Sequence, residues 1–272
     1  MQAKPRHLAP EWGAQFRDES VAEAYPYRPP YPAATFDALD DLIVGGPKVV
    51  LDVGGGTGDI ARRLAPLVAR LDAVDASAAM IAQGRQPGGD AANLNWIEAL
   101  VEEAKLSPPY GLITAGESLH WLDWEVVLPR FAEVLDPKGW LVLIERDWTG
   151  SRVIADRVRS IIARHSTNRD FRPYNLIAEL TTRGLFEQQG TRRVGPEPWQ
   201  PTIDEYIECR HSQNGLSRER MGASAAAFDQ ELRAALLALC DEGVLALHDD
   251  HLTLQVTATL TWGRPQRHNS TA

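Results

Sequence analysis

Apolar residues along the chain fall into two patterns: short runs of the kind that form buried strands, and stretches where they recur every three to four residues as on one face of a helix. The first run, Val49-Val50-Leu51-Asp52-Val53, meets four glycines within five residues, Gly54-Gly55-Gly56-Thr57-Gly58. Ile60, Leu64, Leu67 and Val68 then stand at i, i+4, i+7 and i+8, which predicts a helix directly after the turn. Further strands are expected at 70–77, 94–98, 110–114, 140–144 and 185–194. Helices are expected at 78–84, at 127–135 up to the breaker Asp136-Pro137-Lys138-Gly139, at 154–165 and at 174–183. Ahead of the first strand, residues 16–25 have helical composition, and Tyr25 to Pro32 reads as extended because each proline disfavours helix in the residue before it. Phe36, Leu39, Leu42 and Ile43 return to helical spacing. Strands separated by helices in this way predict a largely parallel sheet in an α/β fold.

The glycine turn is where a ligand can come closest to backbone N–H groups, with the helix N-terminus supplying more donors. Gly56-Thr57-Gly58-Asp59-Ile60-Ala61 satisfies the weak dinucleotide pattern G-x-G-x-x-A. Asp52 and Asp59 argue against a pyrophosphate, which would meet two like charges in a partly desolvated pocket, and favour a ligand bearing an ammonium and a sulfonium. Asp75 ends the second strand about 20 residues after the glycines, where a carboxylate can accept hydrogen bonds from both ribose hydroxyls. Ser77 is a candidate N-cap for the next helix. The turn and Asp75 together point to an adenosine-containing cofactor.

With Gly54, Gly56 and Gly58 at its three glycine positions, the D-x-G-x-G-x-G stretch from Asp52 resembles motif I of the class I S-adenosylmethionine (SAM) methyltransferases. Val21-Ala22 through Tyr25, with Arg28-Pro29-Pro30-Tyr31-Pro32, and the Leu119-His120-Trp121 unit are similar to the trans-aconitate methyltransferase-like group. The resemblance covers roughly residues 16–147. It implies a doubly wound, seven-stranded, mostly parallel Rossmann-like sheet whose last strand is antiparallel. His251 to Trp262, alternating apolar residues with Thr and Gln, suits that strand. It also implies an N-terminal arm, residues 1–45, folding over the cofactor as a lid. The core would be 46–195, a helical insertion at 196–243 would add to the lid, and 244–272 would hold the last strand and a tail. Between the sixth and last strands lie about 50 residues of helical character, with one amphipathic piece near 203–211 and another near 228–239, far more than a hairpin needs. The cofactor implied is SAM, contacted by Tyr25, Arg28, Asp52, Gly54, Gly56, Gly58, Asp75, Ala76, Met80, Val101, Gly116 and Glu117. The acid that holds adenine in similar proteins is replaced here by Leu100, leaving the Val101 backbone or Glu102 for that task.

A net charge of −9 disfavours a general nucleic-acid surface, which needs clustered Lys and Arg, so a small molecule is the expected substrate. Cys209 and Cys240 offer no disulfide framework and no metal spacing. No apolar run approaches the roughly 20 residues of a membrane span, and Met1 to Arg6 does not open a signal peptide, so a cytoplasmic protein is expected. Seven arginines between Arg146 and Arg172 read either as a solvated helix face or as the means of holding an anionic substrate, with Arg210 a further candidate. Should the acceptor have to lose a proton, the candidate bases are His211 first, because the lid insertion carries it, then His165, His120 and Glu117. Each histidine also reads as a packing residue. The competing functions are a SAM-binding protein without methyl transfer and, less favoured, an NAD(P)-dependent oxidoreductase. The residues name neither the acceptor, the atom methylated nor the oligomeric state.

Overall fold

A computed structural model describes residues 4–85 and 91–267; the start of the arm and the end of the C-terminal tail lie outside the described residues. Among the described residues nine strands form: β1 (Val49–Val53), β2 (Arg70–Asp75), β3 (Leu94–Glu98), β4 (Tyr110–Gly116), β5 (Leu135–Asp147), β6 (Phe186–Trp199), β7 (Leu247–His248), β8 (His251–Leu252) and β9 (Leu254–Pro265). Seven of them make one sheet in the order β3-β2-β1-β4-β5-β9-β6. The pairs β1 with β2, β1 with β4, β2 with β3 and β4 with β5 are parallel. At the other edge the Gln266 N–H donates to Leu185 O and Thr191 Oγ1 donates to Leu260 O. Partner numbers rise on one strand as they fall on the other, so β9 runs antiparallel to β6. Strands β1 and β4 are apolar almost throughout because helices cover both faces of a parallel sheet.

The chain divides into two compact units. The sheet unit comprises Tyr31–Arg146, Pro173–Gly195 and Ala258–Ala272. Its core gathers Val50, Leu71, Leu112, Val142 and Leu260 from the strands with Phe36, Leu39, Ile60 and Leu64 from the covering helices. The helical unit comprises Met1–Pro30, Asp147–Arg172 and Pro196–Thr257. The Ser224–Asp241 helix centres it, burying Phe228, Leu232, Leu236 and Leu239, which recur along one face. The Arg152–His165 helix contributes Ile154, Val158 and Ile161 to the same core. The Ile203–His211 helix starts on a reciprocal cap: Thr202 Oγ1 accepts from the Glu205 N–H, and Glu205 Oε2 accepts from the Thr202 N–H. Among the described residues no helix is long and apolar enough to cross a membrane.

Several local expectations need correction. The helix after the glycine turn is α-helical only over Ala61–Leu64 and tightens to a 3-10 turn at Ala65–Leu67, where Pro66 lacks the N–H to continue it. Tyr25–Tyr27, expected to be extended, is a 3-10 turn, with Pro26 tolerated near its start. The helix expected to stop at Asp136 ends at Val134 with Leu135 as its cap, but Asp136 to Gly139 are not a loop: they bulge from β5, since Leu135 pairs with Tyr110 and Trp140 with Leu112. The stretch 251–262 is not one strand: His251 and Leu252 pair with β7 around Asp249 and Asp250, both at positive φ, and β9 starts only at Leu254.

Where β9 passes β6, a Cβ on Gly263 would stand 2.2 Å from the Glu187 carbonyl oxygen and 2.7 Å from Phe186 Cζ. Neither can retreat, being backbone of a paired strand and a buried ring. Gly263→Ala is expected to lower unfolding free energy by about 2 kcal/mol, read from the denaturation midpoint at unchanged slope. An unshifted midpoint would mean that the two strands can part locally without cost.

Candidate cofactor site

The carboxyl ends of β1, β2, β4 and β5 lie side by side in the sheet, the end of a doubly wound sheet where ligands bind. At β1 the chain turns through Gly54 (φ 62°), Gly56 (φ 55°) and Gly58 (φ 82°). Left-handed backbone is one reason for glycine here and crowding is another. A Cβ on Gly54 would meet Ser118 Cβ at 2.5 Å, and one on Gly58 would meet Trp96 Cη2 at 2.6 Å. Ser118 in turn donates to Val53 O at 2.6 Å, fastening the turn after β4 to the end of β1.

Asp75, at the end of β2, accepts from the Gly56 N–H (2.8 Å) on one oxygen and from the Ser77 N–H (2.8 Å) on the other. Ser77 caps the Ala78–Gly84 helix by accepting from the Met80 N–H, which places Met80 in the core beside the turn. Ala76 links the two as a partly buried residue. Asp75 is therefore oriented by backbone N–H groups on both oxygens.

Asp52 is 1% exposed. Thr114 Oγ1 donates to its Oδ1 at 2.7 Å, while its Oδ2 is buried without a partner. Burial pushes this carboxyl up to about 7; the Thr114 bond and the Ala61 backbone N–H oppose the shift, and the charges of Asp75 and Asp59 add to it.

The strongest ion-pair cluster in this region was missed by reading the sequence. Arg146, near the end of β5, has a side chain 2% exposed. Its Nη1 donates to Asp59 Oδ2 (3.3 Å), its Nη2 donates to Glu117 Oε2 (2.9 Å), and its Cζ lies 4.2 Å from the Tyr31 ring centroid. Of the other arginines in this dense stretch, Arg152, Arg159 and Arg164 are exposed on the Arg152–His165 helix, Arg157 is half-buried there, and Arg169 and Arg172 are exposed beyond it. The available signal was the place of Arg146 directly after the apolar run Leu141 to Ile144, on a strand and not on a helix. Glu117 holds its position at φ 52°, unusual for a residue with a side chain, and its N–H donates to Ile144 O. Gly116 beside it admits Ile60 Cδ1 and the Tyr31 hydroxyl, which a Cβ would meet at 2.3 and 2.9 Å.

After β3, Leu100 is exposed and Val101 buried. The Arg130 guanidinium donates to the carbonyls of Val101, Glu102 and Ala104, pinning this loop. Glu102 Oε1 accepts from the Asp123 N–H at 2.8 Å, and Oε2 is buried without a partner.

The remaining expected residues fall in the helical unit. Arg28 stacks on the Tyr25 ring at 4.3 Å and donates to Ser212 Oγ (2.8 Å) and Ser212 O (2.7 Å). His211, expected as the leading candidate base, is fully buried; its Nδ1 bonds Leu216 O (2.7 Å) and its Nε2 bonds Asp229 Oδ1 (2.6 Å). With both ring nitrogens bonded and the ring edge on Phe228, it ties the Ile203–His211 helix to the Ser224–Asp241 helix. His165 likewise bonds Glu231 Oε2 at 2.6 Å and packs on Phe228. Among the described residues no group of three or more His, Cys, Asp or Glu is placed to hold a metal ion.

Comparison with known proteins agrees with this geometry. Residues 50–139, from β1 to the bulge of β5, match the family model described as a methyltransferase domain. Over 87 residues the chain is 39% identical to malonyl-[acyl-carrier protein] O-methyltransferase of Anoxybacillus flavithermus, with 31% of this chain and 33% of that protein covered. It is 30% identical over 112 residues to an uncharacterized methyltransferase of Mycobacterium tuberculosis, with 40% and 56% covered. The chain thus matches less than two thirds of either curated relative's length. Among solved structures, a putative type II methyltransferase from Anaeromyxobacter dehalogenans superposes with a TM-score of 0.58 at 21% identity, covering 88% of this chain and 97% of that one. The fold is that of the Rossmann-like class I methyltransferases.

Because Asp52 holds its proton more tightly folded than unfolded, its stabilising contribution is complete below the ordinary value of 3.8 and is lost as pH rises through about 7. Asp52→Asn keeps an acceptor for Thr114 without a charge. Thermal melts should show the variant gaining on the wild type as pH goes from 5 to 8. A constant difference across that range would place the titration elsewhere.

Proposed function

We propose that the protein is a SAM-dependent methyltransferase acting on a small-molecule acceptor that carries an anionic group. The observation that carries the donor assignment is Asp75, oriented by the Gly56 and Ser77 N–H groups beside three glycines at positive φ. Two buried orphan acceptors support it. Glu102 Oε2 suits the amino group of an adenine, and Asp52 Oδ2, close beside the turn at Gly55, suits an ammonium. The fit therefore covers ribose, base and amino-acid ends of the cofactor, with the Val101 loop held by Arg130 as the floor beneath the base.

Bound SAM would supply an activated methyl group on a sulfonium, so the chain's own task is alignment and exclusion of water. We assign Asp59, Glu117, Arg146 and Tyr31 to shaping the sheet edge beside the turn. Arg146 is shared by two carboxylates, so Asp59 and Glu117 are partly neutralised before any ligand arrives. Both ring nitrogens of His211, the first candidate base, are bonded within the helical unit, which favours an acceptor that needs no deprotonation, such as a carboxylate. The activity for which the Anoxybacillus relative is named, O-methylation of malonyl-[acyl-carrier protein], fits that chemistry. We assign acceptor choice to the helical unit, outside the matched 50–139 domain, and the Tyr25 and Arg28 arm to the lid. Two free cysteines are consistent with a reducing, cytoplasmic setting.

Calorimetry should detect binding of SAM or S-adenosylhomocysteine and none of NAD. Asp75→Ala should weaken SAM binding by more than about 1 kcal/mol, since a charge-assisted bond is lost. Binding of NAD in preference to SAM would overturn the donor assignment. SAM binding with no methylated product in a mass-spectrometric screen of small carboxylic acids would favour a SAM-binding protein without turnover.

A further inference from the structure

Arg210, on the Ile203–His211 helix, is 3% exposed. Its Cζ lies 4.1 Å from the Trp148 ring centroid and 4.6 Å from that of Tyr206. Those rings cross at 77° with centroids 6.3 Å apart, so they form a corner around the guanidinium, and Trp199 packs against both. The hydrogen-bond acceptors it reaches are neutral. Nη1 donates to Gln213 Oε1 at 3.2 Å and Nη2 donates to the Tyr206 hydroxyl. The Nε–H is buried and donates to nothing.

Other arginines with buried side chains are treated differently. Arg146 meets two carboxylates, and Arg183, with a side chain 7% exposed, meets Glu179 at 2.6 Å. Arg210 has no carboxylate within ion-pair distance among the described residues. A guanidinium cannot shed its proton to escape burial, and buried charges are ordinarily paired. Stacking on aromatic faces offsets part of the cost and leaves the in-plane N–H groups wanting an anion.

We propose that Arg210 is an anion site of the helical unit and that its ligand is the carboxylate of a small molecule. The two rings wall the guanidinium on two sides and the unpartnered donor is the Nε–H, so a ligand is taken along the Nε edge. A planar carboxylate matches that edge with two parallel hydrogen bonds, where a tetrahedral phosphate would bring bulk out of the plane against the rings. The indole and phenol walls suit the carbon skeleton of such an acid. Identifying this ligand with the acceptor rests on the methyl-transfer proposal above; the site itself rests on Arg210 and its surroundings.

The full chain is titrated with sodium acetate and sodium benzoate at ionic strength matched by sodium chloride, following melting temperature and heat of binding. Both should bind saturably, benzoate the more tightly, and Arg210→Met should fold and bind at least tenfold more weakly. No carboxylate effect beyond chloride, undiminished binding by Arg210→Met, or binding of inorganic phosphate without acetate would overturn the proposal. Should Arg210→Met fail to fold, Arg210→Lys decides. It keeps the charge and loses the two-pronged edge, so a tenfold loss supports the site and unchanged affinity rejects it. SAM binding by the wild type in the same calorimeter tests the methyl-transfer reading on its own.

Discussion

The close approach of two backbone turns at the ends of β1 and β4 is the constraint from which the sheet unit's chemistry follows. Gly54 leaves the space that Ser118 occupies, and the Ser118 hydroxyl donates to the last carbonyl of β1. A side chain at Gly54 would separate the turns and misplace everything after β4. Glu117, next to Ser118, sits in the left-handed region at φ 52° because that fastening and the bond from its own N–H to β5 determine its backbone. Its carboxylate is thereby aimed at Arg146.

Electrostatics at this edge are less negative than a count of acids suggests. Asp52, Asp59, Asp75 and Glu117 lie close in the fold, yet each is moderated in its own way. Burial raises Asp52 toward neutrality, Asp75 is held by two N–H donors, and Asp59 and Glu117 share one guanidinium. A cation entering here would meet carboxylates already oriented, without rearranging the backbone that holds them.

Two histidines of the helical unit tie its helices together. His211 ties the Ile203–His211 helix to the Ser224–Asp241 helix through Asp229, which also accepts from Arg218, and His165 ties the Arg152–His165 helix to the same long helix through Glu231. That leaves Arg210, one residue before His211, as the charged group whose environment is incomplete. Adjacent positions on one helix thus differ in kind: the histidine is satisfied at both nitrogens, and the arginine is boxed by rings without an anion.

Local sequence determined the strand, turn and helix order of the sheet unit, because apolar runs, glycine turns and caps act over a few residues. The Asp52-to-Gly58 turn, Asp75 and the Ser77 cap were legible for that reason. Where a proline or a bulge intervened, at Pro66 and at Asp136 to Gly139, boundaries moved, since partner strands decide which residues pair. Tertiary structure alone decided the partners of charged groups. The apolar run before Arg146 places it on a strand, but only the strand order brings it to Asp59 and Glu117. Nothing local removes His211 from catalysis or denies Arg210 a carboxylate. Charge pairing is settled by distances of a few ångströms between residues far apart in the chain, and those distances exist only once the cores have packed.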